Sequence, residues 1–369
     1  MTKQSDVVII GGGIAGIGAA ARLAQTASVT VLEGETTLGY HSTGRSAAIF
    51  IRNYGNSILR TLNAASEPEL VQPEEVSSYS LLSPRGEMLI AGEGETATLD
   101  AYLAGAQGME RLSPQQAGEL VPILNTDRLV AAAIEHDARE IDVDRLLQGY
   151  ARLATSHGAE IVKGAKVVDL SQNAGTWLVE TSQGRFAAPV IVNAAGAWAD
   201  DIARMAGLVP LGLQGLRRSA ALIPAPDGHD ISKWPLFAPA SETFYAKPDA
   251  GNLMISPADE DPVEAHDVWA DDMVLAEGLH RFEQAVTVPV THVSHSWAGL
   301  RTFASDRTPV VGFDPRKKGF FWLAGQGGYG IQTAPALSRL TMNLITHTTP
   351  ALPDNVVAAL SLDRLLKGK

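Results

Sequence analysis

A glycine-rich turn near the N-terminus constrains the fold of this chain more than any other feature. Residues 11–16 read GGGIAG, which fits the spacing G-x-G-x-x-G. The apolar run from Asp6 to Ile10 precedes the turn as a predicted strand, and Ile14 to Leu23 follows it as a predicted helix. A second β-branched run, Ser28 to Glu33, completes a predicted βαβ unit. The sequence therefore predicts that a parallel sheet begins at the N-terminus.

The turn and an acidic residue together predict a dinucleotide site. In this pattern the first glycine permits the tight turn, the second lets the backbone approach a pyrophosphate, and the third allows close helix contact. Glu33 lies 22 residues after Gly11, where a carboxylate can accept hydrogen bonds from both ribose hydroxyls. This favours FAD or NAD over a nucleotide with a 2′-phosphate. A tight turn in an unrelated α/β fold is the alternative, and it leaves Glu33 unexplained.

Composition excludes several classes of protein. The 369 residues favour two domains, and 29 Lys plus Arg against 41 Asp plus Glu give a net charge of −12, which argues against a nucleic-acid partner. The absence of cysteine excludes disulfides, thiolate metal sites, a cysteine nucleophile and a thioether-linked cofactor. No metal site is predicted.

The hydropathy of the chain predicts no membrane segment. No run approaches the roughly 18 consecutive apolar residues of a membrane helix, and the N-terminus has no basic stretch followed by a long apolar region. We expect a cytoplasmic protein.

The rest of the chain alternates α/β blocks with two inserts. A helix is predicted after Asp142, where Leu146, Leu147, Tyr150 and Leu153 keep helical spacing, and it ends at His157 and Gly158. A third block pairs a buried strand, Phe320 to Leu323, with a helix from Thr333 to Ile345. Between these, strands are predicted at Ala165–Leu170, Trp177–Glu180 and Val190–Asn193. The inserts, about 51–140 and 215–300, contain shorter strand-like runs and are interpreted as one second domain.

Two further motifs bear on the cofactor. Residues 39–48, GYHSTGRSAA, follow the ribose carboxylate, and their small side chains and hydroxyls would let the backbone lie along an extended pyrophosphate and flavin. A polar surface loop is the alternative. Residues 325–330, GQGGYG, precede a helix whose N-terminus would stabilise the negative charge of a reduced flavin. These glycines can also serve close packing alone.

The chain resembles the D-amino acid oxidase and glycine oxidase superfamily, most of all its bacterial D-arginine dehydrogenases. The residues that carry the resemblance are the opening βαβ unit, residues 39–48, VNAAGAWAD (192–200), SWAGLRTF (296–303) and AGQGGYGIQT (324–333). The resemblance implies non-covalent FAD in a Rossmann-type α/β domain of the glutathione-reductase type, formed by residues 1–50, 141–214 and 301–369. It also implies an interleaved α+β substrate domain on a mixed sheet, formed by residues 51–140 and 215–300.

The resemblance also implies the residues of the substrate site. Arg301 and Arg218 would hold the substrate carboxylate, Tyr54 and Tyr245 would bond the carboxylate region, and Glu87 would receive a cationic side chain. Gly328 and Gln332 would line the flavin and the substrate amine. Three alternatives stay open: Arg217 could take the place of Arg218, the tyrosines could be core residues, and Glu87 could be a solvated loop residue.

The implied cofactor contacts form a longer set. They are Gly11, Gly13, Ile14, Ala15, Gly16, Glu33, Ser42, Thr43, Ser46, Ala47, Ala48, Val167, Gly299, Gly327, Gly328, Tyr329, Gly330, Ile331, Gln332 and Thr333.

The expected activity is FAD-dependent oxidation of D-amino acids, with hydride transfer from Cα to flavin N5 and hydrolysis of the imino acid to a 2-oxo acid and ammonia. The chain departs from D-arginine dehydrogenases at Ile49, where those enzymes have a histidine. The apolar side chain of Ile49 favours aliphatic substrates. Three alternatives to this activity stay open. The first is an enzyme of the same kind that oxidises a secondary amine or glycine. The second is a NAD-dependent enzyme, and the third is a protein that binds flavin without turnover. The electron acceptor, oxygen or a quinone, is left open.

Overall fold

The computed structural model describes residues 1–366. The strands, β1 to β22 in chain order, are Lys3–Gln4, Val7–Ile10, Val29–Leu32, Ile49–Phe50, Leu82–Pro84, Glu87–Ala91, Met109–Leu112, Ala131–Glu135, Arg139–Ile141, Glu160–Val162, Val167–Asn173, Thr176–Thr181, Gly184–Ala188, Val190–Asn193, Gln214–Pro224, Leu236–Pro239, Tyr245–Asp249, Asn252–Ser256, Pro262–Val263, His295–Phe303, Val310–Phe313 and Phe320–Ala324. The helices, α1 to α10, are Ile14–Leu23, Ser57–Val71, Thr96–Ala104, Pro114–Leu120, Val143–Ser156, Ala199–Met205, Asp272–Ala285, Gly330–Ile345, Asp354–Leu360 and Asp363–Leu366. Short 3₁₀ turns lie at Thr126–Arg128 and Gly196–Trp198.

A six-stranded sheet confirms the predicted α/β layer. Its order is β10-β3-β2-β14-β22-β21, and every pair is parallel except β21 with β22. Strands β2 and β3 are buried along their whole length, as their continuous apolar runs require of a sheet covered on both faces. Helices α1, α5 and α8 pack together on one face. The four-stranded sheet β1-β13-β12-β11 and α6 share a core with the other face.

The two inserts join in one mixed sheet. Its order is β19-β15-β18-β17-β16-β6-β8-β7, with β20 beside β15, and β16 runs parallel to β6 while the other pairs are antiparallel. The first insert contributes β6, β7 and β8, and the second contributes the others. The predicted boundary at residue 300 falls inside β20, because this strand continues to Phe303 to complete its ladder with β15.

The start of the first insert lies against the α/β layer rather than on the mixed sheet. Helix α2 packs on α8, and Leu59, Leu62 and Leu70 belong to the same buried cluster as α8. Strand β4 pairs with β9 in a small sheet with β5. The apolar face of α2 explains this placement, since it has to be buried against another element.

The edge of the parallel sheet positions the site. Strands β2, β14 and β22 all end at the same edge, followed by Gly11, Ala194 and Gly325. In open α/β sheets the carboxyl ends of parallel strands form the ligand crevice. The mixed sheet closes this crevice from the other side through β15, β17 and β20, which supply cavity-lining residues.

Candidate active site

A cavity of about 740 Å³ extends from the carboxyl edge of the parallel sheet to the mixed sheet. One end is lined by residues that follow β3 and β14 or begin β11, among them Glu33, Lys166 and Asp201. The other end is lined by residues of the mixed sheet, among them Arg218 and Arg301. An elongated ligand would therefore contact both layers.

The glycine turn after β2 is shaped by the surrounding backbone. Gly11 has φ +112°, and a Cβ there would collide with the carbonyl oxygen of Ala194. A Cβ on Gly16 would collide with the carbonyl oxygen of Gly11, so this glycine serves helix packing and does not line the cavity. Gly13 differs, because it lines the cavity and a Cβ there would meet only Thr43 Oγ1, at 3.2 Å. The space beside Gly13 is thus open to a ligand.

The Glu33 carboxylate is held at the cavity by backbone donors. Its Oε2 accepts from the N–H of Gly12 at 2.6 Å, and its Oε1 accepts from the N–H of Glu35 at 2.8 Å. Each oxygen keeps a further lone pair for a ligand hydroxyl. The carboxylate therefore lines the cavity with acceptor sites available, and its contact with a ribose stays a prediction.

The second glycine turn leads into the N-terminus of α8. Gly325 and Gly327 have φ of +70° and +53°, and a Cβ on Gly327 would collide with the ring of Phe303. No side chain caps α8, and its first residues, Gly330 and Ile331, line the cavity. The first N–H groups and the positive end of the helix dipole are therefore directed toward one ligand region, which favours negative charge there.

Arg301 is a cation without a carboxylate partner among the described residues. It lies on β20, is partly buried and lines the cavity, and its Nη1 donates to the hydroxyl of Tyr54 at 3.3 Å. Its guanidinium lies over Gly328, where a Cβ would come within 2.8 Å of Nη1. A positive group held in this way is a receptor for an anion that the protein itself does not supply.

Arg218 and its neighbour Arg217 take different environments. Arg217 pairs with Asp259, Asp261 and Asp271, whereas Arg218 lines the cavity. The Nε of Arg218 donates to the carbonyl of Asp259 at 2.8 Å, and its Nη2 pairs with Glu260 at 3.1 Å. Successive strand residues point to opposite faces, so only one of the two arginines can reach the cavity.

Two tyrosines surround these arginines. Tyr245 lines the cavity, with the Arg218 guanidinium 6.0 Å from its ring centroid. Burial by itself would raise the pKa of Tyr245, but the positive charges of Arg301 and Arg218, together with hydrogen bonds to Ser256 and Arg218, outweigh it and lower that pKa. Tyr54 contacts Arg301 from outside the cavity wall and packs against Tyr329 with ring centroids 4.8 Å apart.

Glu87 is buried rather than solvated, and it lies outside the cavity wall. It is 6% exposed, and its Oε2 has no hydrogen-bond partner among the described residues. It stands opposite Glu135 on the neighbouring strand. Burial raises the pKa of Glu87 well above its usual range, and the charges of Glu135 and Glu242 raise it further.

Most of the predicted residues meet at this cavity. Those that line it are Gly11, Gly13, Ile14, Ala15, Glu33, Ser42, Thr43, Ser46, Ala47, Val167, Gly299, Gly327, Gly328, Gly330, Ile331, Arg218, Tyr245 and Arg301. Those that lie behind the wall are Gly16, Ala48, Tyr54, Glu87, Tyr329, Gln332 and Thr333.

Gln332 departs most from its predicted role. The residue is 3% exposed, its Oε1 accepts from the N–H of Ile51 at 3.2 Å, and its Nε2 donates to Asn63 at 2.8 Å. Both ends of the amide are thus engaged within the protein, where it ties α8 to α2 and to the segment after β4. In the structure this residue does not reach the cavity.

Arg45 lines the cavity and was not singled out from the sequence. Its Nη1 donates to the carbonyls of Val268 and Ala298 at 3.1 and 3.0 Å, and its Nη2 pairs with Asp267. The neighbouring His41 packs on Trp198 with centroids 4.6 Å apart. Arg45 stands in the quoted GYHSTGRSAA motif, but its partners lie more than 200 residues away and no local signal indicates them.

The cavity fits a flavin dinucleotide. A carboxylate suited to ribose hydroxyls, an open cradle at Gly13 and two helix N-termini face one elongated space.

Among residues 1–366 no helix is long and apolar enough to cross a membrane, and no cluster of three or more His, Asp or Glu side chains is arranged for a metal ion.

Comparison with known proteins gives consistent results along the chain. The family model described as FAD dependent oxidoreductase, DAO, matches residues 6–344. Glycine oxidase of Geobacillus kaustophilus is 25% identical over 95% of both chains, and sarcosine oxidase subunit beta of Rhizobium meliloti is 25% identical over 98% of this chain and 89% of its own. The crystal structure of the Geobacillus glycine oxidase superposes with a TM-score of 0.82, 25% identity and coverage of 98% and 99%. L-proline dehydrogenase from P. horikoshii shares the fold, with a TM-score of 0.84, 21% identity and complete coverage of both chains.

Proposed function

Because the chain belongs to the DAO family of FAD-dependent oxidoreductases, which oxidise amino acids or amines, we propose that its substrates are D-amino acids. The products are a 2-oxo acid and ammonia. The observation that carries this proposal is Arg301, a partly buried guanidinium that faces the cavity and has no carboxylate partner among the described residues. A free α-carboxylate is the group that such a cation binds.

Both arginines bind the substrate carboxylate, in different ways. Arg301 offers a planar pair of donors to the carboxylate, while Arg218 adds a second positive charge from the adjacent strand. The hydroxyl of Tyr245, which lines the cavity, adds a donor to this anion, while the hydroxyl of Tyr54 accepts from Arg301 behind the wall and helps to position the guanidinium. Fixing the carboxylate at several points restricts rotation of the substrate and determines which face of Cα is presented for oxidation.

Bound FAD supplies the two-electron acceptor that this oxidation requires. The chain contributes orientation and charge rather than a general base, since the titratable groups that act most strongly on Arg301 are the tyrosines Tyr54, Tyr245 and Tyr329. Its positive charges favour the carboxylate and disfavour a substrate ammonium, so the reacting amine is neutral. The carbon–hydrogen bond at Cα and one amine hydrogen are lost, and the resulting imino acid hydrolyses in water.

We propose a broad substrate range with a modest advantage for basic side chains. Glu87 is a buried carboxyl with an oxygen lacking a partner, and a cationic group would satisfy it. Ile49, Leu89 and Leu236 belong to the apolar cluster on the same side of the mixed sheet as Tyr245, so aliphatic side chains would also be accepted.

The second candidate is oxidation of glycine or a secondary amine such as sarcosine. The names of the two relatives at 25% identity favour it, and the same arginine pair would bind the carboxylate of either substrate. Neither substrate has a cationic side chain, so Glu87 would then have no role in substrate binding.

An anaerobic screen tests the proposal directly. The yellow holoenzyme is mixed with D-arginine, D-leucine, L-arginine, L-leucine, glycine and sarcosine, and loss of flavin absorbance is followed. We expect bleaching by both D-amino acids and slower or no bleaching by the L-enantiomers. Bleaching by sarcosine or glycine alone would replace the proposal with the second candidate, and a protein without flavin absorbance would contradict both.

A further inference from the structure

Two buried side-chain atoms behind the cavity wall, one on Glu87 and one on Tyr102, lack a hydrogen-bond partner among the described residues. The hydroxyl of Tyr102, on α3, is buried and has no hydrogen-bond partner among the described residues, as is also true of Glu87 Oε2. Only three other side-chain atoms in the described part of the chain share this condition: Arg22 Nε, Arg85 Nε and Thr302 Oγ1. A buried polar group without a partner destabilises the folded protein, so two in one region point to a ligand that satisfies both.

The two groups are within electrostatic reach of each other. Burial raises the pKa of Tyr102, and the next largest contribution is the negative charge of Glu87, followed by that of Glu135. Glu87 and Glu135 stand opposite each other on β6 and β8, and α3 packs on both strands. The remaining charged groups that act on this hydroxyl are Arg60, with its guanidinium 6.0 Å from the ring centroid, and Glu242.

The surroundings suit a long side chain with a polar end. Tyr102 packs in the same apolar cluster as Ile49, Leu89 and Tyr245. Methylene groups would contact these side chains, and a multi-donor cation at the tip would meet the carboxyl and the hydroxyl. Neither polar atom lines the cavity, so a bound side chain has to displace Tyr245, which lines the cavity and packs in the same apolar cluster as Tyr102.

We propose that Tyr102 is a specificity-determining residue, and that its hydroxyl and Glu87 together bind the guanidinium of a D-arginine-like substrate. This inference rests on the proposed D-amino acid oxidation. A guanidinium has five donors in a fixed planar fork, so it can give two hydrogen bonds to the carboxylate and one to the phenolic oxygen. The shorter ammonium of lysine has three donors on one nitrogen and satisfies the two acceptors less well.

The test is Tyr102→Phe in the FAD-loaded enzyme, with kcat/KM measured for D-arginine and D-leucine. The substitution keeps the ring in its packing and removes only the hydroxyl. We expect kcat/KM for D-arginine to fall about tenfold, as for one hydrogen bond to a charged group, while the value for D-leucine changes by less than about twofold. Tyr79→Phe is the matched control, since Tyr79 is 74% exposed, and neither substrate should be affected.

A double variant separates the hydroxyl from the carboxyl. In Glu87→Leu the guanidinium is no longer fixed, so adding Tyr102→Phe should lower kcat/KM for D-arginine by less than about threefold further. An equal fall for D-arginine and D-leucine in the single variant, or no fall at all, would overturn the role of Tyr102. If wild type oxidises neither D-amino acid, the proposed function fails instead, and this inference is withdrawn with it.

Discussion

At the scale of single residues, the cavity shows which glycines serve the ligand and which serve the fold. Gly11 and Gly16 leave no room for a methyl group because backbone atoms occupy that space. Gly13 has φ −77° and ψ −178°, which any residue adopts, and its missing side chain faces the cavity. The three positions therefore respond differently to the same substitution.

We expect Gly13→Ala to fold normally and to lose flavin, because the added methyl group occupies the space that the pyrophosphate requires. The ratio of flavin to protein absorbance, together with the circular dichroism of the purified protein, measures both effects. Gly11→Ala is the contrasting variant, and it should lower stability because of the clash with Ala194 and the positive φ. Full flavin content in Gly13→Ala would contradict the position assigned to the pyrophosphate.

Arg301→Lys distinguishes the effect of the charge of Arg301 on substrate binding from the effect of its planar shape. The lysine keeps the positive charge and removes the fork, so losing one charge-assisted hydrogen bond should cost about 1.5–3 kcal/mol, or roughly tenfold to a hundredfold in kcat/KM. The control is Arg217→Lys, which changes an arginine paired with three aspartates outside the cavity. Equal kinetics for wild type and Arg301→Lys would show that Arg301 does not hold the substrate.

The raised pKa of Glu87 makes stability depend on pH. The folded protein holds a proton on this carboxyl at pH values where the unfolded chain, with a pKa near 4.5, has released it. The free energy of unfolding contributed by this group therefore falls as pH rises above 4.5, because only the unfolded chain releases the proton there.

Glu87→Gln removes this titration while keeping the shape of the side chain. We expect the variant to gain stability over wild type at pH 8 and to differ little from it at pH 4.5, as measured by urea unfolding. The exposed Glu93→Gln should show no such trend. A gain of equal size at both pH values would mean that Glu87 is not held protonated.

At the scale of elements, α2 fixes the segment that carries Tyr54. Asn63 on α2 is fully buried, and its Nδ2 lies 3.2–3.3 Å from the carbonyl oxygens of Ile51, Arg52 and Tyr54. Its Oδ1 accepts from Gln332 on α8 at 2.8 Å. One side chain thus ties the segment after β4 to two helices.

Asn63→Ala should lower the free energy of unfolding by about 1–3 kcal/mol, because it leaves buried carbonyl groups without a donor. It should also raise KM more than it lowers kcat, since the hydroxyl of Tyr54 contacts Arg301 and its position becomes less fixed. Urea unfolding and steady-state kinetics measure the two effects. Asn343→Ala on α8, whose side-chain amide donates to Thr348, is the control. An unchanged KM would show that the segment carrying Tyr54 does not contribute to substrate binding.

At the scale of the whole molecule, the ligand space lies where the two sheets meet. Residues of the parallel sheet and of β15, β17 and β20 line one cavity, so a dinucleotide bound there contacts both layers at once. FAD binding should therefore stabilise the folded chain as a unit. At a free FAD concentration one hundred times Kd the gain is about 2.7 kcal/mol.

We expect apo protein to unfold several degrees below the holoenzyme, and added FAD to restore the original temperature. Scanning calorimetry measures this at several FAD concentrations, with riboflavin, which lacks the pyrophosphate and adenosine, as the matched weaker ligand. A melting temperature independent of FAD would contradict a cofactor site between the sheets.

The predicted elements that proved correct are those with strong local signals. The helix Ile14–Leu23 and the strand Val190–Asn193 have the predicted bounds, since a glycine turn and an apolar run set their ends. The position of Glu33 at the cavity was also predictable, because the strand and the turn before it fix where its carboxylate lies. Arg218 and Arg217 were not distinguishable by sequence, as only the strand pairing determines which of them faces the cavity.

The sequence by itself determined the α/β layer and the dinucleotide turn, because each follows from residues close together in the chain. Only the tertiary structure decided that Gln332 binds Ile51 and Asn63, that Arg45 fastens a distant segment, and that Glu87 is buried next to Glu135. These contacts join residues more than 40 positions apart. Their side chains acquire partners or lose water only when separate elements pack, so no local pattern reports them.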